Sequence, residues 1–262
     1  MKSVLTIAGS DSSGGAGIQA DIKTIAAHHL FAQSAITALT AQNTTGVFDV
    51  HDVPADFVTK QIDVVFDDIR PDAVKIGMVS SAAIVEAIAD ALKRNGASNI
   101  VVDPVMVATS GSNLASDEAV VALRERLFPL ATVVTPNIPE AEVLSGLSIA
   151  SPESQADAAA KLAALFNVAV LVKGGHGVHD ANDALALPGE DAVWLRAERV
   201  DNPNTHGTGC TLSSAIACGL AEGLSVEDSV RQAKRYLTNA LKAQLNLGCG
   251  SGPLDHLWVL SR

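Results

Sequence analysis

Cysteine, positive charge and long apolar runs are all in short supply in this chain of 262 residues. Its three cysteines, Cys210, Cys218 and Cys249, are an odd number without C-x-x-C spacing, which argues against a disulfide framework or a zinc ribbon. Basic residues number 18 against 29 acidic ones, giving a formal net charge of −11 and a pI near 4.9. Such a surface repels phosphate backbones and anionic lipid, so neither nucleic acid nor a membrane is expected as a partner. A small anion is still admissible, because a pocket sets its own local field. No run of apolar side chains exceeds five residues, Val168 to Val172 being one, so no segment spans a bilayer. The stretch Met1–Ile7 is too short for a signal-peptide core and soon meets Asp11. There is no fixed repeat, and no linker long enough to divide the chain. What is present is an ample core: 48% of residues are hydrophobic and 18% charged, which excludes disorder. The expectation is one domain over residues 1–262, reduced and cytoplasmic.

Strand-length apolar runs alternate with segments of helical period. Strands are expected at Ser3–Ala8, Ser34–Ala41, Ala73–Gly77, Ile100–Val105, Thr132–Thr135 and Val168–Val172. Several are near-continuous apolar runs, as strands buried on both faces should be. Between them Ile18, Ile22, Ile25 and His29 share one helical face, as do Ala83, Ile84, Ala87, Ile88, Ala91 and Leu92. The alternation implies a mostly parallel sheet with helices on both faces. Near the end, Ala184–Leu187 and Val193–Leu195 predict a short antiparallel excursion, followed by helices over roughly Thr208–Glu222 and Val226–Leu245.

In such a sheet ligands sit beyond the carboxyl ends of the strands, where three glycine loops fall. The first, Gly9 to Gly17, contains Gly15-Ala16-Gly17-Ile18-Gln19-Ala20, a formal dinucleotide fingerprint. The acidic residue that should hold the ribose is missing, since the second strand ends Thr40-Ala41-Gln42-Asn43. It is not a Walker A loop either, because Gly14 is followed by Gly15. The second, His206-Gly207-Thr208-Gly209-Cys210, opens a helix whose unpaired N–H groups suit a phosphoryl group in transfer. Cys210 sits where a helix N-terminus would lower a thiol pKa, so it reads as a base or nucleophile, or else as a buried cap. The third, Lys173-Gly174-Gly175-His176-Gly177, offers a lysine that reaches phosphate oxygens or merely snorkels at a strand end. Asp103 and the Asn137-Ile138-Pro139-Glu140 segment stand at two further strand ends and would suit Mg²⁺, although Asn137 also fits a helix N-cap. The seven histidines give no metal constellation: His28-His29 and His176-x-x-His179 lack a third partner.

These segments, in this order, resemble the ribokinase-like superfamily, and more closely the hydroxymethylpyrimidine/phosphomethylpyrimidine kinases of thiamine biosynthesis. The resemblance rests on Ala8–Asp21, Ala38–Thr44, Lys75-Ile76-Gly77-Met78, Asp103-Pro104-Val105-Met106, Thr135–Glu142, Lys173–His176 and Asn204–Thr211, and so covers almost the whole chain. Much of the superfamily carries G-T-G-D where this chain has Gly207-Thr208-Gly209-Cys210, the cysteine form of the pyrimidine kinases.

The resemblance implies a three-layer α/β/α sandwich and transfer of the ATP γ-phosphoryl to 4-amino-5-hydroxymethyl-2-methylpyrimidine, then to its monophosphate. It implies that Gln42 bonds the aminopyrimidine edge, that Asp21 helps fix the substrate, and that Gly9, Met78 and Val105 wall the ring. Cys210 would activate the hydroxyl, with Gly207, Thr208 and Gly209 as its anion hole. Lys173, Thr208 and Asn137 would contact ATP, and Asp103 and Glu140 would hold Mg²⁺ through water. A homodimer is implied too. One departure is Asp201-Asn202-Pro203-Asn204, where relatives often carry a lysine. A pyridoxal kinase on the same fold and a non-catalytic sensor of the pyrimidine are the competing readings, with a nicotinamide dehydrogenase behind them.

Overall fold

Runs of valine, isoleucine and alanine form the middle of the molecule, because only strands covered on both faces hide every side chain of such a run. The computed structural model describes residues 1–106, 116–175 and 181–260. Its strands are β1 (Ser3–Asp11), β2 (Phe31–Asn43), β3 (Gly46–Asp52), β4 (Ala73–Ile76), β5 (Ile100–Val102), β6 (Val133–Val134), β7 (Ala169–Val172), β8 (Asp183–Ala186) and β9 (Val193–Leu195). They make one sheet in the order β3-β2-β1-β4-β5-β6-β7-β8-β9. The stretch from β2 to β7 is parallel, whereas β3, β8 and β9 run antiparallel at the two edges.

The helices are α1 (Gly17–Ala27), α2 (Ala55–Asp68), α3 (Ala82–Arg94), α4 (Asp117–Ala122), α5 (Ile138–Ser145), α6 (Pro152–Phe166), α7 (Thr208–Ala221) and α8 (Val226–Lys242). Side chains alternate across each strand, so the sheet feeds two cores. Leu5, Ile7, Val74, Ile76, Val102, Val134 and Val170 pack against Ile62 of α2, Ile88 of α3, Leu144 of α5 and Leu162 of α6. Val4, Ala73, Val101, Val133 and Leu171 pack against Ile25 of α1, Leu212 and Ile216 of α7, and Val230 of α8. Each buried valine, leucine or isoleucine among them contributes about 1.5–3 kcal/mol. The result is the expected three-layer α/β/α sandwich.

The elements depart from expectation where local sequence competes with pairing. β3 was not foreseen; nearly all of it is exposed, and it owes its extended form to pairing with β2. β5 stops at Val102 rather than Val105, because Pro104 has no N–H to give the ladder. α8 ends at Lys242, and Gln244 takes a left-handed φ of 47°.

The C-terminal segment packs onto α7 and α8: the Tyr236 hydroxyl donates to the His256 carbonyl, and His256 Nε2 lies 3.1 Å from Thr211 Oγ1. Burial pushes the His256 imidazole down to about 4 from an ordinary 6.5. Between those values the unfolded chain binds a proton that the folded one refuses, so this contribution is complete above pH 6.5 and lost as pH falls through 4. Glu140, whose pKa is raised, acts with the opposite sign, so the comparison of two proteins isolates the imidazole. His256→Gln is expected to shrink the stability lost between pH 6.5 and 4 by about 3 kcal/mol relative to the parent, read from urea unfolding at each pH. Equal losses in both proteins would clear His256 of that role.

Candidate active site

The glycine loop after β1 and the first turn of α7 meet above the sheet because neither has a side chain at the crossing. Gly207, the N-cap of α7, has φ 84°, and a Cβ there would stand 2.0 Å from the Gly15 carbonyl oxygen. Any larger residue would push the two loops apart. The N–H groups of Gly209 and Cys210 belong to the first helical turn and have no intrahelical acceptor, so this turn presents donors and the positive end of a dipole.

On one side of this turn lie the residues expected to meet a ring. Gly9 and Met78 are neighbours, a Cβ on Gly9 falling 3.3 Å from Met78 Sδ. Gln42, near the end of β2, is clamped through its backbone: its N–H donates to Ser12 Oγ at 2.8 Å, and the Ser12 hydroxyl donates to its carbonyl at 2.8 Å. The Gln42 side chain reaches Thr40 Oγ1 at 3.1 Å and His206 Nε2 at 3.3 Å. His206 in turn lies 2.7 Å from Asp11 Oδ2. Asp11 also accepts from Ser13 N and Oγ, Gly15 N and Ala16 N at 2.7–3.0 Å. Burial works against its charge, but the bonds from His206, Ser13 and Ala16 hold the carboxyl down at about 2. Val105 follows Asp103 in a tight turn, its N–H donating to the Asp103 carbonyl at 2.8 Å.

On the other side lie the groups expected to meet phosphate and metal. Lys173 Nζ donates to Asp103 Oδ1 at 2.7 Å, and Thr135 Oγ1 donates to the same oxygen at 3.1 Å. Burial disfavours the Lys173 charge, yet Asp103 and Glu140 keep it above the usual lysine range. A Cβ on Gly209 would sit 3.1 Å from Asp103 Oδ2 and 3.5 Å from Lys173 Nζ, so α7 begins against this pair. Asn137 and Glu140 form a reciprocal capping box on α5, each side chain accepting from the other's backbone N–H at 2.8–2.9 Å. Asn137 is therefore an N-cap, and only its Nδ2 is left for a ligand. Burial raises Glu140 to about 7 against the pull of Lys173.

Asp103 Oδ2 is buried and has no hydrogen-bond partner. A carboxylate oxygen so placed costs free energy until a cation or donor meets it, which fits a divalent ion held by Asp103 and Glu140 with retained waters. Among the described residues no group of three or more His, Cys, Asp or Glu side chains that could hold a metal ion is present.

Two expectations are corrected here. Asp21 does not face a ligand: it is fully buried beneath the site, and both its oxygens are taken. Lys75 Nζ donates to them at 3.0 and 2.8 Å, Ser214 Oγ donates to Oδ1 at 2.7 Å, and the Thr6 hydroxyl donates to Oδ2. Nor is the Cys210 thiol pKa lowered by its helix. Burial pushes it up to about 11, against the pull of the Lys75 ammonium and a hydrogen bond from the Gly17 N–H. Desolvation of the thiolate outweighs the helix end.

Sequence reasoning left Lys75, His206 and Asp11 without roles, although each carried a signal: a lysine inside the apolar strand Ala73-Val74-Lys75-Ile76, and a histidine and an aspartate inside two glycine loops. His176, Gly177 and His179 lie outside the described residues. The Asp201–Asn204 departure is filled by asparagines: Asn202 Nδ2 donates to the Leu241 carbonyl at 2.7 Å, and Asn204 Nδ2 to Asn246 Oδ1 at 2.7 Å.

The family model for phosphomethylpyrimidine kinase matches residues 11–255. A hydroxymethylpyrimidine/phosphomethylpyrimidine kinase of Rhizobium meliloti is 52% identical over 258 residues, covering 96% of each chain. The thiamine biosynthesis bifunctional protein ThiED of Geobacter sulfurreducens is 50% identical over 257 residues; these are 97% of this chain but span only about half of that relative's length, 52%. Among solved structures, the ADP complex of Bacillus subtilis pyridoxal kinase superimposes with a TM-score of 0.91 at 38% identity, covering 100% of both chains.

Proposed function

The chain belongs to the phosphomethylpyrimidine kinase family, and on that premise we propose that it phosphorylates 4-amino-5-hydroxymethyl-2-methylpyrimidine and then its monophosphate, with ATP as donor, in thiamine biosynthesis. One observation carries the reading: the first turn of α7 lies between two clusters, with Gly207 against the loop beside Gln42 and Gly209 against Asp103 and Lys173. A hydroxyl held on one side and a phosphate chain on the other would meet at the N–H groups of Gly209 and Cys210.

In this mechanism Gln42 bonds the aminopyrimidine edge, and Gly9, Met78 and Val105 wall the ring. Asp21 acts from below, through Lys75 and Ser214. Cys210, once its thiol proton has left to solvent, takes the proton of the substrate hydroxyl as a thiolate while the hydroxyl oxygen bonds to the γ-phosphorus and the bond to ADP breaks. The N–H groups of the Gly207–Cys210 turn donate to the charge that develops on the transferring oxygens. Lys173, Thr208 and the free Nδ2 of Asn137 contact ATP phosphates. Mg²⁺ held by Asp103 and Glu140 would neutralise charge on those phosphates. Phosphoryl transfer asks for little more than such positioning and electrostatics.

A homodimer belongs to the same proposal, supported by the apolar patch on the β2–β3 edge, where Leu39, Phe48 and Val50 are exposed. So does a cytoplasmic setting, supported by three cysteines that are all free thiols. No helix among the described residues is long and apolar enough to cross a membrane.

The test is product mass spectrometry on purified protein of measured solution mass, with ATP, Mg²⁺ and either the hydroxymethylpyrimidine or pyridoxal. Mono- and then diphosphate from the pyrimidine, with little product from pyridoxal, is the expected result. Pyridoxal phosphate as the main product would move the assignment to the activity named for the Bacillus subtilis neighbour. Product from neither would leave a pyrimidine-sensing protein.

A further inference from the structure

Hydrogen-bond accounting around Gln42 leaves a single consistent arrangement. His206 Nε2 stands 2.7 Å from Asp11 Oδ2, and Asp11 is an ionised carboxylate that already accepts from Ser13, Gly15 and Ala16. A carboxylate only accepts, so Nε2 carries the imidazole proton and donates it. As placed, Gln42 Nε2 faces the same His206 Nε2 at 3.3 Å, N–H against N–H; with the amide turned over, the atom there is the oxygen, which can accept. At the other end Thr40 Oγ1 has one proton, and the Ser10 carbonyl takes it at 3.0 Å. As placed, Gln42 Oε1 accepts from Thr40 Oγ1 at 3.1 Å; with the amide turned over, Nε2 donates to that hydroxyl oxygen while its proton goes to the Ser10 carbonyl. Oxygen and nitrogen of such an amide are assigned by their partners, and here both partners agree.

We propose that His206, held by Asp11, is the positioning residue that sets the polarity of the Gln42 amide, carbonyl toward His206 and amino group toward Thr40, and thereby selects a ring edge bearing an amino donor beside a ring-nitrogen acceptor. One N–H and one carbonyl lone pair of Gln42 then remain for a ligand, side by side and of fixed order. The opposite amide orientation would set N–H against N–H at His206. Gly15 makes room for this imidazole: a Cβ there would lie 2.4 Å from His206 Cδ2. The assignment deepens the reading of Gln42 as the aminopyrimidine contact and rests on it for the identity of the ring.

The test has two arms. In the first, nuclear Overhauser contacts of the Gln42 Nε2 protons are measured in the unliganded, side-chain-labelled protein. Contacts to the Thr40 methyl are expected, and contacts to the His206 ring protons would overturn the proposal. This arm needs no substrate, so it stands whether or not the pyrimidine proves to be the substrate.

In the second, His206→Leu is compared with the parent on the hydroxymethylpyrimidine and on the analogue lacking its 4-amino group. Asp11 keeps its donors from Ser13, Gly15 and Ala16 in this variant, so the loop has its own support. KM for the aminopyrimidine is expected to rise about 10–100-fold, with kcat and the KM for ATP nearly unchanged, while the analogue loses less than about threefold. His206→Gln, which returns an N–H toward Asp11, is expected to recover most of the loss. Equal losses on both pyrimidines, or no loss on either, would overturn the role; a parent that phosphorylates neither pyrimidine would instead overturn the proposed substrate.

Discussion

Replacing Cys210 by alanine is expected to lower kcat about 10²–10⁴-fold while KM for both substrates changes little, because a group that takes a proton only as the new bond forms contributes nothing to ground-state binding. The raised thiol pKa adds a second signature. With the group at about 11, the thiolate fraction grows about tenfold per pH unit between pH 7 and 10, so kcat of the parent climbs with pH across that range. The alanine variant is expected to be flat there. Steady-state kinetics at a series of pH values checks both. A variant that keeps near-normal turnover, or the same alkaline rise, would leave the N–H groups of the Gly207–Cys210 turn as the main catalyst and Sγ as a bystander.

Lys75→Met is expected to cause the largest loss of stability, about 3–5 kcal/mol, because it leaves the Asp21 carboxyl in a fully buried site with no counter-charge. In a chain of this size about 2–4 °C accompanies each kcal/mol, so the melting temperature should drop by about 6–20 °C. The double variant Lys75→Met/Asp21→Asn removes the stranded charge and is expected to recover most of that drop, since Thr6 and Ser214 can still bond the amide. Calorimetry on the two variants separates the pair from a general intolerance of change at β4. Were the single and double variants to melt together, the ion pair would not be what ties β4 to α1 and α7.

Where the signal is local, sequence reading and structure agree. The near-continuous apolar runs that become β1, β4, β5 and β7 declare burial on both faces without reference to any neighbour. The Pro-Gly turn between Leu187 and Val193 announces the antiparallel β8–β9 pair, and Gly207 announces the left-handed entry to α7. β3 is the counterexample. Its residues Gly46-Val47-Phe48-Asp49-Val50-His51-Asp52 bury almost nothing, so no periodicity marks them, and the strand exists because β2 offers it a ladder.

The site divides along the same line. Glycine spacing, the order of the loops and their place beyond the strand ends were readable from the chain, because backbone freedom at a glycine and the open donors of a helix start are properties of a few consecutive residues. The protonation and partners of the groups between those loops were not. Asp21 meets Lys75 across 54 positions, and Asp11 meets His206 across 195. Burial sends the Cys210 thiol up where its helix start pointed down. By itself the sequence determined the parallel α/β layering, the glycine-built loops and the kinds of group available for chemistry. Only the tertiary structure decided that Asp21 lies beneath the site and not in it, that Cys210 rests as a thiol, and that His206 stands between Asp11 and Gln42. Desolvation and the count of donors against acceptors depend on which distant segments close over a group, and no window of neighbouring residues contains that information.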